Sequence, residues 1–149
     1  MLHIAYPEPS FQIKESNGQH LIFDTLRKKW LVLTPEEWVR QNLVQYFIQV
    51  KGYPSTLIAL DKIIKLGELK KRFDILIYDA HHKPWLMVEC KGMDIPLSEE
   101  VLQQVLRYNI ALPVEYMIIT NGSHCAGFHR HNGQLQPISD LPVYAARDE

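Results

Sequence analysis

The runs Phe11 to Lys14 and Leu21 to Asp24 are rich in β-formers, and Ser16-Asn17-Gly18 lies between them. An Asn-Gly pair supplies the two left-handed residues of a tight turn, so a β-hairpin is predicted here, with Trp30 to Leu33 as a third short strand. The period then changes. Val39, Leu43, Val44, Phe47 and Ile48 fall at helical spacing, behind a start signal in which Thr34 caps, Pro35 occupies the first helical position and Glu37 closes a capping box. Gly52 and Pro54 end this helix near Val50.

Thr56 to Ile64 reads as a strand containing Asp61 and Lys62, and two further strands follow. Both carry charge inside apolar runs: Arg72-Phe73-Asp74-Ile75-Leu76-Ile77, then Trp85-Leu86-Met87-Val88-Glu89-Cys90-Lys91-Gly92. If they form an antiparallel hairpin turning through Asp79-Ala80-His81-His82-Lys83-Pro84, with its centre between the histidines, Asp74 faces Glu89 and Arg72 faces Lys91. Opposed like charges repel at the roughly 5 Å between cross-strand Cβ atoms, so such a carboxylate pair needs a cation. Lys91 shares the face of Glu89 by the period of two. Leu76, Tyr78, Trp85 and Met87 are expected on the same face, which confines the charge to one end. The Cys90 thiol is expected on the opposite face with Phe73 and Val88.

A second helix starts at Pro96 and Ser98, with Ser98 as its cap and Val101, Leu102, Val105, Leu106 and Ile110 as its apolar stripe. Val114 to Thr120 has the composition of a buried strand, stopped at Asn121-Gly122, and Cys125 to His129 is a candidate partner for it. The predicted fold class is α/β: an αβββαβ core with a mixed central sheet flanked by helices, preceded by an added β-hairpin. At 149 residues the chain reads as one domain. Within it, 1–33 is the N-terminal β extension, 34–127 the core and 128–149 a C-terminal extension, whose last residues, Arg147-Asp148-Glu149, are expected to fray.

A formal net charge of −1 gives no global basic footprint, so any polyanion site must be local. Lys62, Lys65, Lys70, Lys71 and Arg72, with Glu68 the only acid among them, form one such cluster; a solvated face is the alternative. The two cysteines, Cys90 and Cys125, make no disulfide framework. No apolar run approaches the length of a membrane span, the N-terminus lacks a signal-peptide layout, and a cytoplasmic location is expected. His124, His129 and His131 beside Cys125 fit no closed tetrahedral zinc pattern.

The element order, with acids at Asp74 and at Glu89-Cys90-Lys91, resembles the PD-(D/E)xK nuclease superfamily. More narrowly, the chain resembles the N-terminal nuclease domain of type I restriction enzyme R subunits over about Thr34 to Gly127, including Glu37-Trp38-Val39-Arg40 and the Thr120-Asn121-Gly122 turn. The resemblance implies catalytic roles for Glu37, Asp74, Glu89 and Lys91, and Mg²⁺, or Mn²⁺ in its place, on Asp74, Glu89 and the Cys90 backbone carbonyl. Gln104-Val105-Leu106-Arg107-Tyr108 matches the Q-x-x-x-Y motif of a RecB-like branch, which implies that Gln104 and Tyr108 bind nucleic acid. Phe73 stands where the family name has proline, and the chain has no G-x-x-x-x-G-K-[ST] loop, so no ATP-driven motor is expected.

The implied activity is metal-dependent hydrolysis of DNA phosphodiester bonds by a stand-alone domain, as an endonuclease or exonuclease of restriction or repair. DNA is the implied partner. Cutting both strands would call for a homodimer, and a recruiting protein would offset weak DNA affinity; no membrane partner is expected. Bland readings stand beside these. The capping box explains Glu37 without chemistry, Asp74, Glu89 and Lys91 form a cross-strand salt-bridge patch, and Gln104 and Tyr108 lie on an ordinary helix surface. The alternative function is a catalytically silent nucleic-acid-binding or interaction module that keeps the nuclease fold.

Overall fold

The computed structural model describes residues 1–144, with Leu66 described in its backbone only; the expected fraying of Arg147-Asp148-Glu149 falls outside the described residues. The described residues form twelve short segments, in the order the sequence implied apart from an added 3-10 turn and a last strand. The N-terminal sheet comprises β1 (Ile13–Ser16), β2 (Gln19–Asp24) and β3 (Lys29–Val32), antiparallel throughout. Asn17 and Gly18 both take positive φ, 51° and 78°, which is the backbone that a two-residue hairpin turn demands. Helix α1 (Pro35–Gln49) follows, with Thr34 Oγ1 accepting from the Glu37 N–H at 3.0 Å. The cap is half of the predicted box, because the Glu37 carboxylate turns away from Thr34 toward Arg40 and Gln41.

After a 3-10 turn at Ser55–Leu57 come β4 (Ile58–Leu66), β5 (Leu69–Tyr78) and β6 (Pro84–Cys90), then α2 (Glu99–Asn109), β7 (Tyr116–Thr120), β8 (Cys125–His131) and β9 (Gln134–Ile138). The last six strands named form one sheet in the order β4-β5-β6-β7-β8-β9. It extends past Gly127, so the segment expected as a C-terminal extension supplies the rest of β8 and all of β9. Among the described residues only β6 and β7 pair in parallel, and α2 makes the crossover between them. Ser98 Oγ caps α2 by accepting from the Val101 N–H.

Each helix covers one face. Val39, Leu43, Val44 and Phe47 of α1 pack on Ile58, Leu60, Ile75, Ile77, Leu86, Val88 and Ile118. On the other face, Leu102, Val105 and Leu106 of α2 meet Leu76, Met87, Met117, Ile119 and Phe128. The strands at the centre are buried on both faces, which is why they read as continuous apolar runs.

The β5–β6 register is the predicted one: Ile75 opposes Val88, Leu76 Met87 and Ile77 Leu86. A bulge between Ile77 and Tyr78 shifts the ladder by one at its turn end. Trp85 therefore leaves the face of Leu76 and Met87 and joins Tyr53, Tyr116 and Tyr144 in the cluster under α1. A second irregularity decides the site. β4 and β5 pair from Ile58↔Ile77 through Leu66↔Leu69 with one rung omitted, that of Asp61 and Asp74. Asp61 sits at φ +54°, a left-handed conformation that Asp tolerates better than most residues. On one side of this step Leu60 and Ile75 pack under α1; on the other, Ile64 and Phe73 pack on the α2 side. The two strands thus roll over together, and Phe73 lies on the face opposite to that expected, while Cys90 and Val88 keep theirs.

Gly127 lies where β8 passes beneath the N-terminal segment, and a Cβ there would stand 2.8 Å from Leu2 Cδ1, 3.0 Å from Ile138 Cγ1 and 3.2 Å from Ile118 Cδ1. Gly127→Ala is expected to cost about 1–3 kcal/mol through overpacking, read as a lower midpoint in urea; an unchanged midpoint would contradict this close packing.

Candidate active site at the Asp61–Asp74 step

Three acids lie on adjacent strands near the interruption: Asp61 on β4, Asp74 on β5 and Glu89 on β6, the last two each one residue outside the first β5–β6 rung, Ile75↔Val88. Asp74 Oδ2 accepts from the Cys90 N–H at 2.7 Å, which ties the aspartate to the segment Glu89-Cys90-Lys91. Burial pushes the Asp74 carboxyl up; the Cys90 N–H opposes this, the Glu89 charge adds to it, Arg40 opposes it, and Asp61 adds again, so the net direction is upward. Here is a carboxylate short of positive charge. Lys91 Nζ lies 3.5 Å from Glu89 Oε2, with both side chains partly exposed, a pair worth little in water.

The predicted opposition of Arg72 and Lys91 does not form. β6 ends at Cys90, the Lys91 N–H bonds the Thr120 carbonyl on β7, and Arg72 faces Ile63 on β4. The cation that enters the site comes from α1 instead. Arg40 Nη1 donates to Asp61 Oδ1 at 2.9 Å and to the Asp74 carbonyl at 3.3 Å, so one guanidinium edge fills the place of the omitted rung. Its other donors, Nε and Nη2, hold the Glu37 carboxylate.

Arg40 and Glu37 belong to a closed circuit. Gln41 Nε2 donates to Glu37 Oε2 at 2.8 Å and to Asp24 Oδ2 at 3.3 Å. Arg27 donates to Asp24 Oδ2 at 2.7 Å and to Asp61 Oδ2 at 2.8 Å, and Asp61 returns to Arg40. The ring fastens the N-terminal sheet, through Asp24 and Arg27, to α1 and β4. Four of its members, Asp24, Arg27, Glu37 and Arg40, carry signals that the sequence displays only locally. Asp24 and Arg27 form an Asx turn in which Asp24 Oδ1 accepts from Leu26 N and Arg27 N, and Glu37 and Arg40 are an i, i+3 pair. Nothing local announces that these two pairs meet at Asp61.

A cavity of about 240 Å³ opens here, lined by Thr34, Glu36, Glu37, Arg40, Asp61, Asp74 and Cys90. Larger apolar grooves exist, one of about 390 Å³ between Trp38, Val39, Met93 and Gly122, but they hold no such concentration of charge. The site also sits at the carboxyl ends of the parallel pair β6 and β7, the usual place for function in open α/β sheets. Asn121 shapes that end: its Oδ1 accepts from the Ser123 and His124 N–H groups, and its Nδ2 donates to the Ile95 carbonyl beyond Lys91-Gly92. The Cys90 thiol is buried and desolvation pushes its pKa up, so it is not poised as a nucleophile.

Gln104 and Tyr108 lie exposed on α2, and the Tyr108 ring carries Lys71 Nζ 4.3 Å from its centroid. The structure therefore brings Tyr108 to the basic start of β5. His129 bonds Glu115 and stacks on Tyr116. Among the described residues, no group of three or more His, Cys, Asp and Glu side chains is drawn together as a metal centre. The donors that remain free of Arg40 are Asp74 and Glu89, both hard carboxylates on adjacent strands. That set fits Mg²⁺, which takes one or two carboxylates and retains several waters.

The family model described as the type I restriction enzyme R protein N terminus matches residues 35–142, well over half of the chain. The chain belongs to this family. Its relationship is thus to restriction-type nucleases, as the order of elements and the acids at Asp74 and Glu89 implied. No curated protein matches the sequence. No described helix is long and apolar enough to cross a membrane.

Two outcomes follow from the ring. Arg40→Met leaves the buried Glu37 carboxylate without its partner, and removal of one member of a buried pair costs about 3–5 kcal/mol; a drop of that size in unfolding free energy is expected, and a change under about 1 kcal/mol would contradict it. Burial would raise the Asp24 carboxyl, but the Arg27 N–H, side chain and charge and the Leu26 N–H outweigh it and hold it below the usual range. Its stabilisation is therefore present above an unfolded value of about 4 and lost as pH falls through the lower folded value. Melting temperature against pH should show an acid limb that flattens in Asp24→Asn; identical limbs would exclude the ionised aspartate as its source.

Proposed function

We propose that this domain hydrolyses DNA phosphodiester bonds with a divalent ion, Mg²⁺ by preference, held by Asp74, Glu89 and the Cys90 backbone carbonyl. The observation that carries the reading is the meeting of Asp74 with Glu89-Cys90-Lys91 at the carboxyl end of β6, in a chain of the restriction-enzyme R-protein family. The bound ion would supply Lewis acidity toward the phosphate and lower the pKa of the attacking water.

The residues divide the remaining work. The Cys90 N–H fixes the direction of the Asp74 carboxylate. The upward push on its pKa marks a carboxylate that gains from added positive charge. Lys91, held near Glu89, would orient the attacking water and stabilise charge on the phosphate oxygens. Gln104 and Tyr108 would position the backbone rather than read bases. Glu37, engaged by Arg40, would act by holding a water at the edge of the cavity, or a second ion once Arg40 releases it.

One observation favours a second reading, a nucleic-acid-binding module without catalysis. Arg40 already neutralises Glu37 and Asp61, which leaves two acids for metal. Cleavage decides between them. Supercoiled and linear single-stranded DNA incubated with the full chain and Mg²⁺ or Mn²⁺ should be cut, EDTA should stop the cutting, and Lys91→Ala should reduce the rate at least about 100-fold, the scale of one transition-state charge contact. Equal activity in wild type and Lys91→Ala, or none in either, would leave the binding module as the better account.

A further inference from the structure

The β4–β5 ribbon runs on beyond the rest of the sheet. β6 pairs with β5 only from Ile75↔Val88 to Tyr78↔Pro84, so the rungs from Lys62↔Phe73 to Leu66↔Leu69 have no third strand. This two-stranded arm carries Lys62, Lys65, Lys70, Lys71 and Arg72, and Glu68 is the only acid between Lys62 and Arg72. Lys65 and Lys70 are direct cross-strand partners, an arrangement that costs energy through repulsion. Among the described residues, none of the five cations forms an ion pair.

The two faces of the arm differ. Ile64 and Phe73 pack toward Leu106 of α2, and Lys71 of the same face rests on Tyr108. By the period of two, Lys65, Lys70 and Arg72 share the other face with Ile63, which is 41% exposed. That face begins next to Asp61 and Asp74. At about 3.4 Å per residue the Lys65–Lys70 rung stands roughly 14 Å from the Asp61–Asp74 step, about four nucleotide steps along a duplex axis.

We propose that this arm is a nucleic-acid grip, in which Lys65, Lys70 and Arg72 hold phosphates of a DNA duplex and lead its backbone to Asp74. Three unpaired cations on an exposed face, kept there against mutual repulsion, fit a repeating anion. That the polyanion is DNA rests on the function proposed above.

The test is fluorescence anisotropy of a labelled 20-base-pair duplex and of its single strand, in EDTA, with the full chain over a range of salt. Each phosphate contact contributes about 0.9 to the slope of log affinity against log salt for duplex DNA. The Lys65→Glu/Lys70→Glu/Arg72→Glu variant is therefore expected to lose 2 to 3 units of slope and roughly 10-fold or more in affinity at low salt. The neutral pair Lys65→Gln/Lys70→Gln should lose about 2 units of slope, which guards against misfolding of the charge-reversed chain. Lys83→Glu, in the distant β5–β6 turn, should change affinity less than about twofold.

Wild-type affinity and slope in the folded arm variants would overturn the proposal, as would absence of duplex binding by the wild type. So would binding of poly-glutamate as tight as that of the duplex, which would mark an acidic protein surface as the occupant. Binding without cleavage would retire the hydrolase and keep the arm; cleavage with binding indifferent to the arm would do the reverse.

Discussion

Asp61 and Asp74 stand on neighbouring strands at the rung that the β4–β5 ladder omits, and two carboxylates so placed do not remain ionised side by side without a cation. Arg40 supplies it. Its planar guanidinium reaches the Asp61 side chain, the Asp74 carbonyl and the Glu37 carboxylate at once, a task that suits a fixed fork of five donors and not an ammonium group. That one side chain ties α1 to β4 and β5 at the interrupted rung, and at Asp61 it meets Arg27, which with Asp24 links the N-terminal sheet. Hydrophobic burial holds the sheet and helices together on both faces, and the charged ring joins the elements where the ladder is interrupted.

The arrangement leaves the acids unequal. Glu37 and Asp61 are ion-paired with Arg40 within the fold, whereas the Asp74 carboxylate has the Cys90 N–H and the charge of Arg40 without a direct ion pair, and Glu89 has a partly exposed lysine. A protein that needed only stability would gain little from a half-buried carboxylate so poorly matched, since such a group lowers stability. Asp74 on β5 and Glu89 near the carboxyl end of β6 are where the proposed cation would gain binding energy. The inequality thus separates an internal brace from a candidate catalytic pair only one strand away.

Much of this was legible in the sequence, for identifiable reasons. The Asn17-Gly18 turn, the Thr34-Pro35 start and the 3.6 spacing of Val39, Leu43 and Phe47 are local signals, and the structure follows them. The register of Asp74 near Glu89 could be read because a short turn fixes how two runs align. What could not be read was non-local. The left-handed backbone at Asp61 leaves no periodic trace, so the roll that sends Phe73 to the α2 side was invisible. The bulge beside Tyr78 moved Trp85 for the same reason. Nothing near Arg40 in the sequence shows its role at the site, because its partners there lie 21 and 34 residues away at Asp61 and Asp74. Tyr108 was recognisable as part of a motif, but its contact with Lys71 depends on how the arm lies against α2.

If Asp74 and Glu89 together form the cation site, with Arg40 bracing the acids beside them, each carboxylate contributes to cation affinity. Calorimetric titration of Mn²⁺ into the full chain, into Asp74→Asn and into Glu89→Gln tests it without reference to activity. Saturable binding by the wild type is expected, weakened at least about 10-fold by each substitution, the loss of one of two charged ligands. Binding unchanged in both variants, or undetectable in a folded wild type at millimolar Mn²⁺, would contradict it.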